Sequence, residues 1–576
     1  MTTLVGVFYG GTLKIYAVNL VRLLCIFMLY NQCYNIHEYI RRDELLMIRI
    51  NEVKLSIDED ISLLKSKVAK QLRINPQDIV DYSIYKESID ARKKNEIYFV
   101  YVIDVNVKNE VQVLSKNKNI RISPDYSYKS VEEGKNRLDN PPIIIGSGPA
   151  GMFAALLLAQ RGYRPILLER GSDVDTRTED VEKFWKERKL NLDSNVQFGE
   201  GGAGTFSDGK LTTRIKDIRC RKILEEFVLA GAPEEILYSY KPHIGTDILK
   251  NVVKNIRQDI ISLGGQVRFQ SKVTDIIIEN SIVKGVEING SERLYTSEII
   301  LAIGHSARDT YEMLFDRGIK IRQKPFSIGV RIEHPQSLIN LSQYKQHAEH
   351  PRLGAADYRL TYQCKNGRAA YTFCMCPGGT VVAAASEFNT VVTNGMSEYA
   401  RDEQNANSAL LVQINTEDFG SEHPLAGVEF QRKWERAAFE LGGKDYCAPA
   451  QLVKDFIEDK ESEKLGAVIP SYSPNAKLTN LKGCLPDYVT ESMREAIIAM
   501  NKRLDGFAMD DAIMTGVETR SSAPIRIERD VESMESVNVK GLYPIGEGGG
   551  YAGGIISAAV DGIKAAEKII SKYRSS

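Results

Sequence analysis

Hydrophobic spacing divides the chain into regions of different texture. From Met47 to about Asp139 the pattern is mixed. Ile48 to Leu55 roughly alternates, as a half-buried strand does, and Ile61, Leu63, Leu64, Val68 and Leu72 recur at helical spacing. Ile97 to Val107 is β-branched and aromatic, which predicts a second strand, with a shorter one at Tyr82 to Lys86. A polar stretch from Lys129 to Asn140 ends in Pro141-Pro142, a linker signal. Beyond it the rhythm is strand–helix–strand: Ile143 to Ile145, Ala150 to Arg161, Pro165 to Glu169. Helical spacing follows at Ile223 to Leu229 and Thr246 to Leu263. Strands are then predicted at Val267 to Phe269, Val273 to Glu279, Ile282 to Ile288 and Glu298 to Ile303. The stretch from Pro325 to Met509 is irregular, with strand-like runs at Ser327 to Ile332, Tyr371 to Phe373 and Thr380 to Ala384. The strand–helix rhythm resumes at Val539 and closes with a helix from Ile555 to Tyr573.

This pattern predicts an α/β protein. A Rossmann-like three-layer nucleotide domain (140–325 and 510–576) is interrupted by a mixed α+β substrate or cap domain (326–509), and a small α+β domain (47–139) precedes both. Residues 1–46 stand apart. Ala17 to Tyr30 is apolar except for Asn19 and Arg22, shorter than the roughly 20 residues that span a bilayer. No small-x-small cleavage site follows. Three readings stay open: translation that begins at Met47, a peripheral helix, or secretion and insertion. No stable membrane insertion is expected.

Composition changes the picture little. Lys and Arg number 75 against 76 Asp and Glu, so no global field draws the chain to nucleic acid or an anionic membrane. The eight cysteines contain no CxxC, which removes the zinc-ribbon and redox-disulfide patterns and fits a reducing cytoplasm. No metal is expected. The basic run Asp90-Ala-Arg92-Lys93-Lys94 reads as a solvated turn.

The chemistry sits in glycine-rich segments. Ile143-Ile-Ile-Gly146-Ser-Gly148-Pro149-Ala150-Gly151 lies between strand and helix. There Gly146 allows the turn, Gly148 a close diphosphate, and Gly151 helix packing. The helix N-terminus favours phosphate, and Pro149 costs it no needed N–H. Glu169, 23 residues after Gly146, ends the next strand where a carboxylate can accept ribose hydroxyls, and Arg170 adjoins it. Near the other end, Gly546-Glu547 leads through Gly553 and Gly554 into a helix at Ile555. Its positive end could face the N1–C2=O edge of a flavin, a need that an NAD site lacks. The strand end at Ile303-Gly304-His305 adds a third turn. The loop Gly199 to Lys210, including Gly202, can lay amides along a diphosphate, with Lys210 offsetting its charge. FAD is therefore the expected cofactor; with no second GxGxxG, NAD(P)H is expected at most as a transient reductant.

Three such segments in this order resemble the glutathione reductase-like flavoproteins. Longer strings resemble a bacterial family described as FAD-dependent dehydrogenases of unassigned substrate. They include Ser88-Ile-Asp-Ala-Arg92, Gly199-Glu-Gly-Gly-Ala-Gly-Thr-Phe-Ser-Asp-Gly-Lys210, Lys324-Pro-Phe-Ser-Ile-Gly-Val-Arg331, Phe373-Cys374-Met-Cys376-Pro-Gly-Gly379 and Gly516-Val-Glu518-Thr-Arg520. The resemblance covers nearly all of 47–576 and implies FAD and this fold more than a reaction.

Catalytic candidates are Cys374 and Cys376, which share a strand face at i and i+2, together with His305 and Arg520. A thiol could pass electrons or a proton, a histidine could donate a proton, and an arginine could orient a carboxylate. Arg331, His334 and Glu387 lie in the same segments. The expected activity is hydride exchange at the flavin N5 with a small-molecule substrate. A flavin-binding regulator or RNA-modification partner is the alternative, although near-neutral charge and the lack of a basic aromatic stripe count against nucleic acid.

Overall fold

The computed structural model describes residues 47–93, 96–117 and 120–575. The three readings of residues 1–46, and Lys94 of the basic run, lie outside the described residues. The chain forms two compact units.

The first unit contains 47–53, 62–84 and 102–124. It holds most of a four-stranded sheet in the order Ile79–Asp90, Tyr98–Val107, Ile48–Ser56 and Arg121–Ile122. The strand expected at 82–86 is the middle of the much longer Ile79–Asp90. The helical spacing resolves into the helix Leu64–Leu72, which buries Leu64, Val68 and Leu72.

The second unit contains 54–61, 85–101 and 125–575. One half is a five-stranded parallel sheet in the order Leu542–Pro544, Ile299–Leu301, Ile143–Ile145, Ile166–Leu168 and Gln266–Arg268. Its inner strands read Ile-Ile-Ile, Ile-Ile-Leu and Ile-Leu-Leu because both faces are covered. Ile144 packs into a helical layer with Ala154, Leu158, Ile556 and Ile563. Ile143 and Ile145 face the other way, toward Ile276, Val283 and Val286 of an antiparallel meander formed by 273–279, 282–288 and 292–295. That alternation makes the three layers. The helix Pro149–Gln160 is apolar on every side, with ten residues buried, since it is wedged between the sheet and the helix Ile555–Lys572.

The other half is a seven-stranded sheet in the order Thr361–Gln363, Ala369–Cys376, Asn405–Ile414, Phe326–Pro335, Ile513–Glu518, Ala448–Leu452 and Ala476–Leu478. The strand Phe326–Pro335 lies between Asn405–Ile414 and Ile513–Glu518, pairing antiparallel with both. Ile513–Glu518 thus belongs to this sheet, and the chain returns to the nucleotide half later than the expected residue 510. A short run buried on both faces does not reveal which sheet it will join. Among the described residues, no helix is long and apolar enough to cross a membrane.

Candidate functional site

Three glycine segments meet at the C-terminal edge of the parallel sheet. Gly146 leaves the strand at φ 100°. A Cβ on Gly151 would stand 1.9 Å from the Gly146 carbonyl oxygen, so the helix can lie this close to the turn only with glycine there. Pro149 and Ala150 open the helix, and no side chain caps it at Gly148. The loop that follows Gly199 folds back on this turn. Gly201 donates to the Ser147 carbonyl at 3.0 Å, and a Cβ on Gly202 would come within 2.9 Å of the Gly148 Cα.

The loop is shaped from beneath by a residue that carried no signal in the sequence. Arg177, fully buried on the helix Val174–Glu187, donates to the carbonyls of Asn195, Val196, Glu200 and Gly202 at 2.6–3.0 Å. Four inward-facing carbonyls are thereby satisfied by one cation. Asp208 ends the loop in a buried pocket of charge, held by Arg401 at 2.6 Å and Lys210 at 3.0 Å. Lys210, expected at a phosphate, turns instead to Asp208 and the Met375 carbonyl.

Glu169 reaches the turn, where both of its oxygens are occupied. One accepts from the Ser147 amide at 2.9 Å and hydroxyl at 2.7 Å, the other from the amides of Gly171 at 2.9 Å and Gly199 at 3.1 Å. It pins the nucleotide turn to the glycine loop, a duty beyond the expected ribose contact. Arg170 pairs with Asp309 at 2.9 Å over the Phe198 ring. It also lines a cavity of about 260 Å³ with Gly171, Ser172, Asn191, Asp193 and Lys272.

The third segment completes the cradle. A Cβ on Gly546 would meet the Ala150 Cβ at 3.0 Å, and one on Gly204 would meet Ile555 at 3.3 Å, so all three segments share one neighbourhood. The helix from Ile555 begins at Gly554 without a side-chain cap, and Gly553 and Gly554 are exposed. Gly304 sits at φ 71° with open space where a Cβ would point. Tyr311 ties its carbonyl to that of Gly548, donating at 3.2 and 3.0 Å. Glu547, half-buried, accepts from the Ala523 amide at 3.0 Å, and burial raises its carboxyl pKa.

Beside Gly304 lies a cluster of buried charge. Glu435, on the helix Ala426–Gly442, binds Arg308 at 2.7 and 2.9 Å and Arg520 at 2.9 and 3.0 Å. Despite burial, the two guanidiniums hold its carboxyl far below the usual range. Arg520 spends its remaining nitrogen on the hydroxyls of Ser306 and Ser386. The sequence reading gave Arg520 to a substrate carboxylate; the structure gives it to Glu435, 85 residues earlier in the chain. Glu387 joins through Arg308 and Arg432. His305 stands at the edge of this cluster with Nδ1 2.9 Å from the Ser306 hydroxyl oxygen. Burial and then the charges of Arg520, Arg308 and Lys324 push it down to about 3, so its ring is neutral. His334 is fully buried, with Nε2 2.8 Å from the Phe507 carbonyl and its ring stacked on Phe507, which makes it a packing residue.

Cys374 and Cys376 end the strand Ala369–Cys376. Arg331, paired with Glu518, donates to the Cys374 carbonyl at 2.8 Å. The structure therefore groups the proposed residues into two sets: Gly146, Gly148, Pro149, Ala150, Gly151, Glu169, Gly202, Gly304, Gly546, Glu547, Gly553, Gly554 and Ile555 with His305 nearby, and the cysteines with Lys210 and Arg331.

The first set fits FAD. Two helix N-termini lacking side-chain caps give amide donors for the diphosphate and for the flavin edge. The close backbone approaches at Gly148 and Gly202 leave no side chain in the way.

Comparison with known proteins agrees. A family model described as the C-terminal domain-like part of FAD-dependent proteins matches residues 325–521. A Rossmann-like NAD(P)-binding model matches 144–197, and a domain of unknown function matches 47–106. A Clostridium beijerinckii protein described as uncharacterized is 55% identical over 531 residues, 92% of this chain and 99% of that one. A digeranylgeranylglycerophospholipid reductase of Haloferax volcanii is 31% identical over 173 residues, 29% of this chain and 37% of that protein. Among solved structures, Bacillus cereus glycine oxidase is 12% identical (TM-score 0.30, covering 75% of this chain and 97% of that one). CtdE in complex with FAD is likewise 12% identical (TM-score 0.29, covering 76% and 87%). With the clostridial protein, the chain belongs to a family of FAD-dependent proteins built around a Rossmann-like nucleotide-binding domain.

Proposed function

We propose that the protein is an oxidoreductase that exchanges a hydride equivalent between a small-molecule substrate and its FAD, with NAD(P)H as a transient reductant. The observation that carries this reading is the company kept by the Gly304 turn. An open backbone position there adjoins Gly548 of the flavin-side segment and is followed at once by a neutral histidine. Bound FAD supplies the hydride chemistry at N5.

The chain's own residues supply position and a proton acceptor. Ser306 holds His305 through Nδ1, and among the described residues no partner is recorded for its Nε2. Burial, and then the cationic neighbours, keep the ring neutral, so Nε2 can accept a hydrogen bond from a substrate hydroxyl or amine and take its proton only as the departing hydride makes that group strongly acidic. Arg520 positions that pair by gripping Ser306, and Glu435 fixes Arg520. Tyr311 locks the Gly304 and Gly548 backbones together.

The test is anaerobic reduction of the purified yellow protein by NADH or NADPH, followed by a screen for compounds that reoxidise it. His305→Gln should retain FAD yet slow turnover with any compound found by about 10²-fold or more. Flavin that no donor reduces, or full turnover in the His305 variant, would overturn the proposal.

A further inference from the structure

The proposed hydride transfer leaves the cysteine cluster without a task. Around Cys374 the strand Ala369–Cys376 departs from regular pairing: its register with Asn405–Ile414 slips between Phe373 and Cys376, and Cys374 adopts φ 43°. Left-handed backbone in a non-glycine residue is unfavourable and tends to mark functional sites. Two cations grip the displaced peptide: Arg331 binds the Cys374 carbonyl at 2.8 Å, and Lys210 binds the next carbonyl, that of Met375. The Cys376 thiol can donate to the Cys374 carbonyl at 3.3 Å or to the Cys374 sulfur.

The charges facing this point come from several elements. Lys210 and Asp208 lie on the glycine loop, Arg401 follows the Thr393–Met396 strand, and Arg331 and Glu518 lie on the two adjacent sheet strands. Tyr358 and His243, also close, are uncharged at neutral pH: burial raises the first and lowers the second. Three cations therefore face Asp208 and Glu518, and burial raises the Glu518 carboxyl to about 7, so negative charge is short here. A thiolate at Cys374 offsets part of that excess positive charge, and a thiol leaves it unbalanced.

We propose that Cys374 is a resident thiolate nucleophile that reduces a peroxide, with Cys376 as its resolving thiol. The Cys374 sulfur attacks one peroxide oxygen; an S–O bond forms, the O–O bond breaks, and hydroxide leaves toward Lys210. The sulfur loses two electrons and the peroxide gains them. The Cys376 thiol then attacks the sulfenic sulfur, an S–S bond forms and water departs.

Supporting this, the hydrogen bond from Cys376 and the charges of Lys210 and Arg331 lower the Cys374 thiol below its ordinary value against burial, whereas Cys220 and Cys447, also half-exposed, are raised by burial. Those two are internal controls.

The test uses the protein as purified, treated with stoichiometric hydrogen peroxide and mapped by mass spectrometry. The peptide carrying Cys374 and Cys376 should lose the mass of two hydrogens before Cys220 or Cys447 changes. In Cys376→Ser, dimedone should trap a sulfenate on Cys374; in Cys374→Ser, neither product should form. Lys210→Met should move the pH midpoint of the reaction up by about one unit or more, which slows it roughly tenfold only at pH below that midpoint. Oxidation of Cys220 or Cys447 ahead of Cys374 would overturn the proposal. So would a failure to trap sulfenate in the serine variant, or an unmoved pH midpoint in Lys210→Met.

Discussion

Around Gly148 the protein is built from backbone: glycines where an added Cβ would stand only 1.9–2.9 Å from neighbouring backbone atoms, uncapped helix ends and amide donors. Some residues further along the chain, around Glu435, it is built from long charged side chains drawn from helices, turns and strand ends, with Glu435 fully buried between Arg308 and Arg520. The first arrangement tolerates any ligand whose phosphates match the helix ends. The second is tuned to one partner set and fails when a single member is lost.

Predictions follow that contrast in decreasing size. Glu435→Ala should be the most damaging change, because it leaves two buried guanidiniums facing each other; a loss of about 3–5 kcal/mol in denaturant unfolding is expected. If the loss is under 1 kcal/mol, about the size of a surface pair, the cluster is not the internal strut described here.

Gly151→Ala should cost about 1–3 kcal/mol and weaken FAD binding, measured by flavin fluorescence, since its methyl would enter the Gly146 carbonyl. Retained affinity would mean that the turn can relax, and the backbone half would then be less exacting than its geometry implies.

Acid provides a third test. Burial pushes His334 down to about 4 in the folded protein, below the ordinary value of about 6.5 that the unfolded chain has. The unfolded state therefore binds the proton first, so this contribution is intact above pH about 6.5 and is lost as pH falls toward 4. Between pH 7 and 5 it amounts to roughly 2 kcal/mol. His305 acts in the same direction. A His334→Gln variant should lose that part of the slope in melting temperature against pH; an unchanged slope would refute it.

The smallest effect is expected at the surface. The Arg293–Glu287 pair, 3.2 Å long and largely exposed on the arginine side, should contribute less than about 1 kcal/mol in a double-mutant cycle.

The same contrast explains what the sequence disclosed. Gly146 to Gly151, Gly304 and Gly546 to Ile555 could be read because backbone conformation demands a residue type at a fixed spacing, and the parallel strands followed from their apolar runs. Arg177 and Glu435 could not. Each lies on an amphipathic helix, where a charged residue ordinarily points to water, and only the folded topology turns these inward. Arg520 and Lys210 were noticed as charges and given anionic ligands, but their partners, Glu435 and Asp208, became neighbours only through tertiary packing. The strand Ile513–Glu518 shows the same limit for a sheet, since its sequence does not say which neighbours it will pair with.

The strand Leu542–Pro544 pairs with Ile299–Leu301, and Gly562 lets the last long helix lie against the Ala150 carbonyl. Synthesis of the nucleotide turn is thus separated from synthesis of its other wall by the whole of the interrupting sheet. A ribosome that has released only the first 540 residues presents half a binding site. Flavin loading must then wait until translation of that wall is finished, and stalled nascent chains cut before residue 540 should not retain FAD, whereas chains displaying residue 572 outside the ribosome should.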